Sequence, residues 1–220
     1  MRRITGAAFV SLDGVIQAPG GPTEDPSGGF AHGGWLPPLA DELVGETVGT
    51  LFTPPYALLL GRFTYDIFAA HWPYVTGEEA AFGAALTAAD KYVVTHRSDG
   101  LDWANTTRLA DVAAVEALKR TDGPDLLIQG SATLYPPLLA AGLIDRLVLM
   151  TFPVVLGPGK RLFGDGTMPA TLRLAGHRVG PRGVVVTTYE PVGGVETGTY
   201  LTHAPSDREL ARRAAITADH

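Results

Sequence analysis

Five short apolar runs limit how this chain can fold more than any other feature: Ile4–Val10, Tyr56–Leu60, Lys91–Thr95, Asp125–Gln129 and Ile144–Phe152. Each has the length and content of a buried strand. Helical spacing fills most of the gaps. Leu39–Leu51 puts Leu39, Leu43, Val44, Thr47 and Leu51 on one stripe, Val112–Lys119 does so with Val112, Val115 and Leu118, and Glu78–Leu86 is a weaker third. Strands alternating with helices predict an α/β fold with a mostly parallel central sheet flanked by helices. Later the pattern changes. Thr171–Val179 and Val184–Glu190 flank Gly180-Pro181-Arg182-Gly183, a turn composition, and predict an antiparallel C-terminal hairpin.

The 220 residues suit one domain with an appendage, read as a domain over 1–192 and a tail over 193–220. The tail stays polar until Ser206-Asp207-Arg208-Glu209, a capping-box pattern that can open a short helix through Ile216. Gln17–Gly34 holds six glycines and three prolines and reads as a long loop. A net charge of −6 argues against broad nucleic-acid binding, which needs a positive footprint. With no cysteine, disulfides, thiolate metal sites and cysteine nucleophiles are excluded. The longest nearly apolar run, Leu147–Leu156, is too short to span a membrane, and no secretory cleavage pattern follows Met1-Arg2-Arg3. A cytoplasmic protein without a membrane partner is expected. His32, His71, His96, His177, His203 and His220 show no metal-ligand spacing, so no metal is expected.

Three strands are expected to end in a glycine or hydroxyl residue just before a helix. The junctions are Gly61-Arg62-Phe63-Thr64, Thr95-His96-Arg97-Ser98 and Gly130-Ser131-Ala132-Thr133-Leu134. Ligands of open α/β sheets bind at strand carboxyl ends, where helix starts offer unpaired N–H groups to phosphate. Arg62 and Arg97 add forked donors. Any one of these is most simply a turn; three together point to an extended ligand with more than one phosphate. Gly157-Pro158-Gly159-Lys160-Arg161 lacks the remaining residues of a triphosphate loop. Asn105-Thr106-Thr107 matches a glycosylation sequon and implies nothing here.

The ordered set of motifs resembles the dihydrofolate reductase-like superfamily, in the branch of the riboflavin-biosynthesis reductase domain and its stand-alone relatives. It comprises Ser11-Leu12-Asp13-Gly14, the three junctions, Leu143-Ile144-Asp145 and Pro153-Val154-Val155-Leu156-Gly157 through Phe163. The resemblance implies NADPH as cofactor and a homodimer. It assigns Gly61, Arg62 and Thr64 to the phosphate-binding turn and Thr95, Arg97 and Ser98 to the adenosine ribose and its 2′-phosphate. Gly130, Ser131, Thr133 and Leu134 fall to the pyrophosphate turn. Ser131 stands where the family usually has a second glycine, and its hydroxyl is expected to compensate by hydrogen bonding. Val15-Ile16-Gln17 follows Asp13-Gly14 where riboflavin-pathway reductases usually carry a basic residue.

Asp13 is the expected catalytic carboxylate, its pKa raised by partial burial at a strand end; its other reading is a tight Asp-Gly turn. Phe30 and Trp35 are expected to stack on a flat substrate, or else to pin the long loop to the core. Three functions stay open: NADPH-dependent reduction of a small heterocyclic or carbonyl substrate, reduction of 5-amino-6-(5-phosphoribosylamino)uracil, and a non-catalytic nucleotide- or ligand-binding module.

Overall fold

The computed structural model describes residues 1–218. Its strands are β1 (Ile4–Ser11), β2 (Tyr56–Gly61), β3 (Lys91–Val94), β4 (Thr106–Leu109), β5 (Asp125–Gln129), β6 (Arg146–Phe152), β7 (Thr171–Val179) and β8 (Val185–Gly193). They form one sheet in the order β4-β3-β2-β5-β1-β6-β8-β7. The first six run parallel, while β8 pairs antiparallel with both β6 and β7. The helices are α1 (Glu42–Leu51), α2 (Arg62–His71), α3 (Ala80–Ala88), α4 (Val112–Lys119), α5 (Tyr135–Ala140) and α6 (Asp207–Ala218). Side chains of α1, α2 and α3 share a core with one face of the sheet, and those of α4 and α5 with the other. The expected fold class is the observed one.

Close approach between layers fixes some residue choices. A Cβ on Gly6 of β1 would lie 2.6 Å from the Tyr135 ring, whose hydroxyl donates to the Ala7 carbonyl at 3.0 Å. Lys91 is fully buried, and its Nζ donates to the carbonyls of Leu86, Thr87 and Ala89 at 2.8, 2.9 and 2.6 Å, closing the end of α3. Desolvation pushes that ammonium down to about 8, against the opposing charge of Asp90.

Several boundaries differ from the sequence reading for local reasons. Helix α1 begins at Glu42 because Asp41 caps it, accepting the Val44 N–H at 3.3 Å, and Leu39 falls in a preceding 3-10 turn. The same carboxylate accepts the Arg182 N–H at 3.2 Å and lies against Gly180, leaving no room for a side chain there, so the β7–β8 turn docks on the start of α1. Strand β6 begins at Arg146 because Asp145 turns back to accept the Ile4 N–H at 2.7 Å and to pair with Lys119. Strand β4 was not expected at all. As an edge strand it buries only Leu109, so it shows no apolar run. In the tail, Ser206 Oγ accepts the Glu209 N–H at 3.3 Å, as the capping pattern predicts, and α6 follows. The described residues include no helix long and apolar enough to cross a membrane and no cluster suited to a metal ion. His220 lies outside the described residues.

Candidate functional site

Strands β3, β2 and β5 are neighbours and parallel, so the three junctions after them open side by side along one edge of the sheet. The first and third are directly joined. The Gly61 N–H donates to Ser131 Oγ at 3.0 Å. A Cβ on Gly61 would come within 3.3 Å of Thr133 Oγ1 and 3.6 Å of the Leu134 side chain, and one on Gly130 within 3.7 Å of Thr64. Gly130 and Ser131 both take left-handed φ, +67° and +65°; glycine does so freely, serine at a cost. Here the serine hydroxyl is the acceptor that bridges the two turns, and its own O–H is not used by that bond. Helix α2 starts directly from Gly61 with no side-chain cap, so its first N–H groups face the open edge.

The second junction is tied down by arginines. Arg108 of β4 donates to the carbonyls of Thr95 at 3.0 Å and His96 at 3.2 Å. Arg62 forks onto Asp66 at 2.8 and 3.0 Å and donates to the Asp99 carbonyl at 2.6 Å. Arg97 is exposed and paired with Asp99 at 2.7 Å; that bond holds the Asp99 carboxyl at about 2. Thr95 Oγ1 accepts the Arg97 N–H at 3.1 Å, and Ser98 is exposed beside it. Thus both expected phosphate-binding arginines already hold carboxylates. Arg108 was missed because nothing in the sequence marked β4.

Asp13 sits in the turn after β1 and links it to a distant loop. It accepts the Ser11 hydroxyl at 2.6 Å, the Leu156 N–H at 3.1 Å and the Gly157 N–H at 2.8 Å. The hydrogen bonds from Ser11 and Leu156, against a smaller desolvation, hold its pKa at about 2. The expectation of a raised pKa is therefore overturned: the carboxylate is a locked acceptor. Arg161 adds a bond to the Asp13 carbonyl.

The Gln17–Gly34 segment is a folded pad. Gln17 Nε2 donates to the carbonyls of Asp25 and Ser27 at 3.0 and 2.9 Å, and its Oε1 accepts the Lys160 N–H at 2.9 Å. Lys160 Nζ reaches Asp25 at 2.6 Å and lies 4.3 Å above the Phe63 ring. Phe30 and Trp35 are both buried. Trp35 packs edge-on against Phe152 at 5.4 Å and donates Nε1–H to the Gln17 carbonyl at 2.9 Å, while Phe30 covers Gly159. Their rings pin the pad to the core, and the geometry offers neither as a free stacking face. Phe63, half-exposed in the first turn of α2, is the aromatic surface at this edge and was not singled out from sequence.

Gln129 ends β5, immediately before Gly130. It is 8 % exposed, yet its Oε1 is buried without a hydrogen-bond partner. A buried amide oxygen with no partner among the described residues is uncommon in a native fold. In the sequence Gln129 closed an apolar run, within the stretch Leu127–Leu134 that contributes to the family resemblance, and was given no role of its own.

The sequence model described as the RibD C-terminal domain matches residues 2–186. Uncharacterized protein YyaP of Bacillus subtilis (strain 168) is 27% identical over 198 residues, covering 86% of this chain and 94% of its own. Among solved structures, the chain is similar to a diaminohydroxyphosphoribosylaminopyrimidine deaminase/5-amino-6-(5-phosphoribosylamino)uracil reductase from Thermotoga maritima, with a TM-score of 0.57 at 14% identity. That match covers 87% of this chain and 57% of the bifunctional one. It is also similar to a dihydrofolate reductase from Enterococcus faecalis complexed with NADP(H), with a TM-score of 0.52 at 15% identity over 86% of this chain and 96% of the other.

Proposed function

The chain belongs to the RibD C-terminal domain family, and from that premise we propose that it is an NADPH-dependent reductase transferring a hydride to a small heterocyclic or carbonyl substrate. One observation carries this reading: the first and third turns interlock at adjacent strand ends, beneath an uncapped helix start. That is the geometry a pyrophosphate needs, with backbone N–H groups and a glycine that lets the anion approach.

When bound, NADPH supplies the hydride. Gly61, Arg62, Thr64, Gly130 and Thr133 hold its phosphates, and Ser131 and Leu134 keep the two turns in register. Thr95, Arg97 and Ser98 flank the adenosine ribose. Gln129 aligns an N–H-bearing ring or carboxamide beside the acceptor, a role its unpartnered Oε1 supports. Asp13, with a pKa of about 2, stays ionised at neutral pH and positions the Leu156–Gly157 loop without donating a proton. The exposed apolar residues of edge strand β7, Leu174 and Val179, support assembly as a homodimer.

The similarity to the Thermotoga maritima enzyme favours a second reading, reduction of the phosphoribosylaminopyrimidine itself. Calorimetric titration with NADPH and NADH tests the cofactor, with NADPH expected to bind. Binding of neither removes the reductase reading and leaves a ligand-binding module. Complementation of a reductase-deficient riboflavin auxotroph decides between the two substrates.

A further inference from the structure

Lys160 Nζ lies 4.3 Å from the centre of the Phe63 ring, although the two residues come from elements on opposite sides of the glycine turns. Phe63 is the second residue of α2, which starts at the end of β2, and Lys160 belongs to the loop after β6. Strands β5 and β1 run between β2 and β6 in the sheet. At about 4.8 Å per strand, the two side chains meet across a gap of about 14 Å. They span the carboxyl ends of β5 and β1, where Gln129 closes β5 with its Oε1 buried and unpartnered.

The backbone of Lys160 is fixed. Its N–H donates to Gln17 Oε1 at 2.9 Å, and its carbonyl accepts the Ile16 N–H at 2.9 Å. A Cβ on Gly159 would lie 2.7 Å from Val15 and 3.1 Å from Phe30, so the loop is pressed against the pad just before Lys160. The side chain is less committed. One of its three ammonium donors bonds Asp25 at 2.6 Å, the Phe63 face attracts the charge, and 42 % of the side chain stays exposed. The neighbouring arginines are held more fully. Arg62 is tied to Asp66 and the Asp99 carbonyl, Arg161 to the Asp13 and Gly157 carbonyls, and Arg97 grips both oxygens of Asp99.

A positioned cation with donors to spare, beside the first turn of α2, suits an anion held at that helix start. We propose that Lys160 is a further binding residue of the dinucleotide site, its ammonium contacting the pyrophosphate across from the turns at Gly61 and Gly130. This rests on the reductase reading and adds to it a contact from the β6 side. It also gives Gly157-Pro158-Gly159-Lys160-Arg161 a role: the segment meets phosphate through one side chain rather than through a cradle of backbone N–H groups. NADPH and NADH share the pyrophosphate, so Lys160 strengthens both equally, and discrimination between them is left to Arg97.

The test is calorimetric titration of the full chain and of Lys160→Met, which keeps the stem and removes the charge. The probes are NADPH, NADH and adenosine 2′-monophosphate. Lys160→Met is expected to weaken both dinucleotides by the same factor, about tenfold, the effect of one charge-assisted hydrogen bond. The loss shrinks as salt rises. Adenosine 2′-monophosphate, which has no pyrophosphate, is expected to bind unchanged. Lys160→Met leaves the buried Asp25 carboxylate without its cation; if that variant does not fold, Asp25→Asn and the double variant Asp25→Asn/Lys160→Met carry the same comparison. Three results overturn the proposal and leave the reductase reading in place: unchanged dinucleotide affinity, a loss confined to NADPH, or a parallel loss of adenosine 2′-monophosphate. Binding of neither dinucleotide by the unsubstituted chain removes both.

Discussion

Gly61 donates its backbone N–H to the hydroxyl of Ser131 at 3.0 Å, joining the turns after two neighbouring strands, although the residues lie 70 apart in sequence. The bond is buried, and Ser131 holds it only by adopting a φ of +65°. Ser131→Ala keeps the strained backbone and strands the Gly61 N–H, at an expected cost of about 1–2 kcal/mol. Ser131→Gly loses the same bond but relieves the left-handed strain, so its stability is expected to lie between alanine and wild type. Denaturant unfolding of the three proteins checks the order. An alanine variant as stable as wild type means the strut is not formed.

Arg97 and Asp99 make a second prediction, about cofactor choice. The proposed 2′-phosphate must share Arg97 with a carboxylate 2.7 Å away and is repelled by it. Asp99→Asn is therefore expected to tighten NADPH several-fold and leave NADH unchanged, most visibly at low salt. Arg97→Ala is expected to weaken NADPH much more than NADH. Parallel calorimetric titrations measure both, and equal effects on the two nucleotides remove Arg97 from the site.

Asp13 predicts a pH dependence. Its carboxyl falls from an ordinary 3.8 to about 2 in the fold, so the unfolded chain binds more protons between those values. The stabilisation is complete above pH 3.8 and lost as pH falls through 2. Asp13→Asn turns an acceptor toward two backbone N–H groups into a partial donor, so its melting temperature is expected to sit below wild type at pH 6. The gap narrows toward pH 2. Turnover, where measured, falls through displacement of the Leu156–Gly157 loop, and no limb of the pH–rate profile near neutrality belongs to Asp13. A gap unchanged from pH 6 to 2 rejects this account.

Why some of this was legible in the sequence follows from range. The strands and the turns at Gly61, Thr95 and Gly130 announce themselves locally, through apolar runs that stop at glycine or hydroxyl residues. The chemistry of Asp13 does so only in part: the Ser11 hydroxyl that lowers its pKa most is two residues away, but the Leu156 and Gly157 N–H groups that add to it come from 143 and 144 residues downstream. The arginines are a different case: Asp66 and Asp99, which hold Arg62 and Arg97, lie only four and two residues further on, so these pairs were local and still went unread beside the phosphate reading. Phe30 and Trp35 had two readings, and their burial against Gly159 and Phe152 supports the packing one.

Gln129 separates stability from function. Its buried Oε1 has no partner, and an unpaired buried acceptor costs about 1–3 kcal/mol. Gln129→Leu removes that penalty and keeps an apolar strand end, so the variant is expected to unfold at equal or higher denaturant than wild type. If the amide aligns substrate or nicotinamide, the same variant loses kcat/KM by about tenfold or more, the effect of one hydrogen bond at the reacting geometry. Gln129→Glu tests the polarity of the contact: a carboxylate still accepts but no longer donates, so it restores activity only if the ligand group is a donor. Wild-type turnover in Gln129→Leu places the amide outside the reaction, and lower stability in the same variant means that its oxygen has a partner in solution.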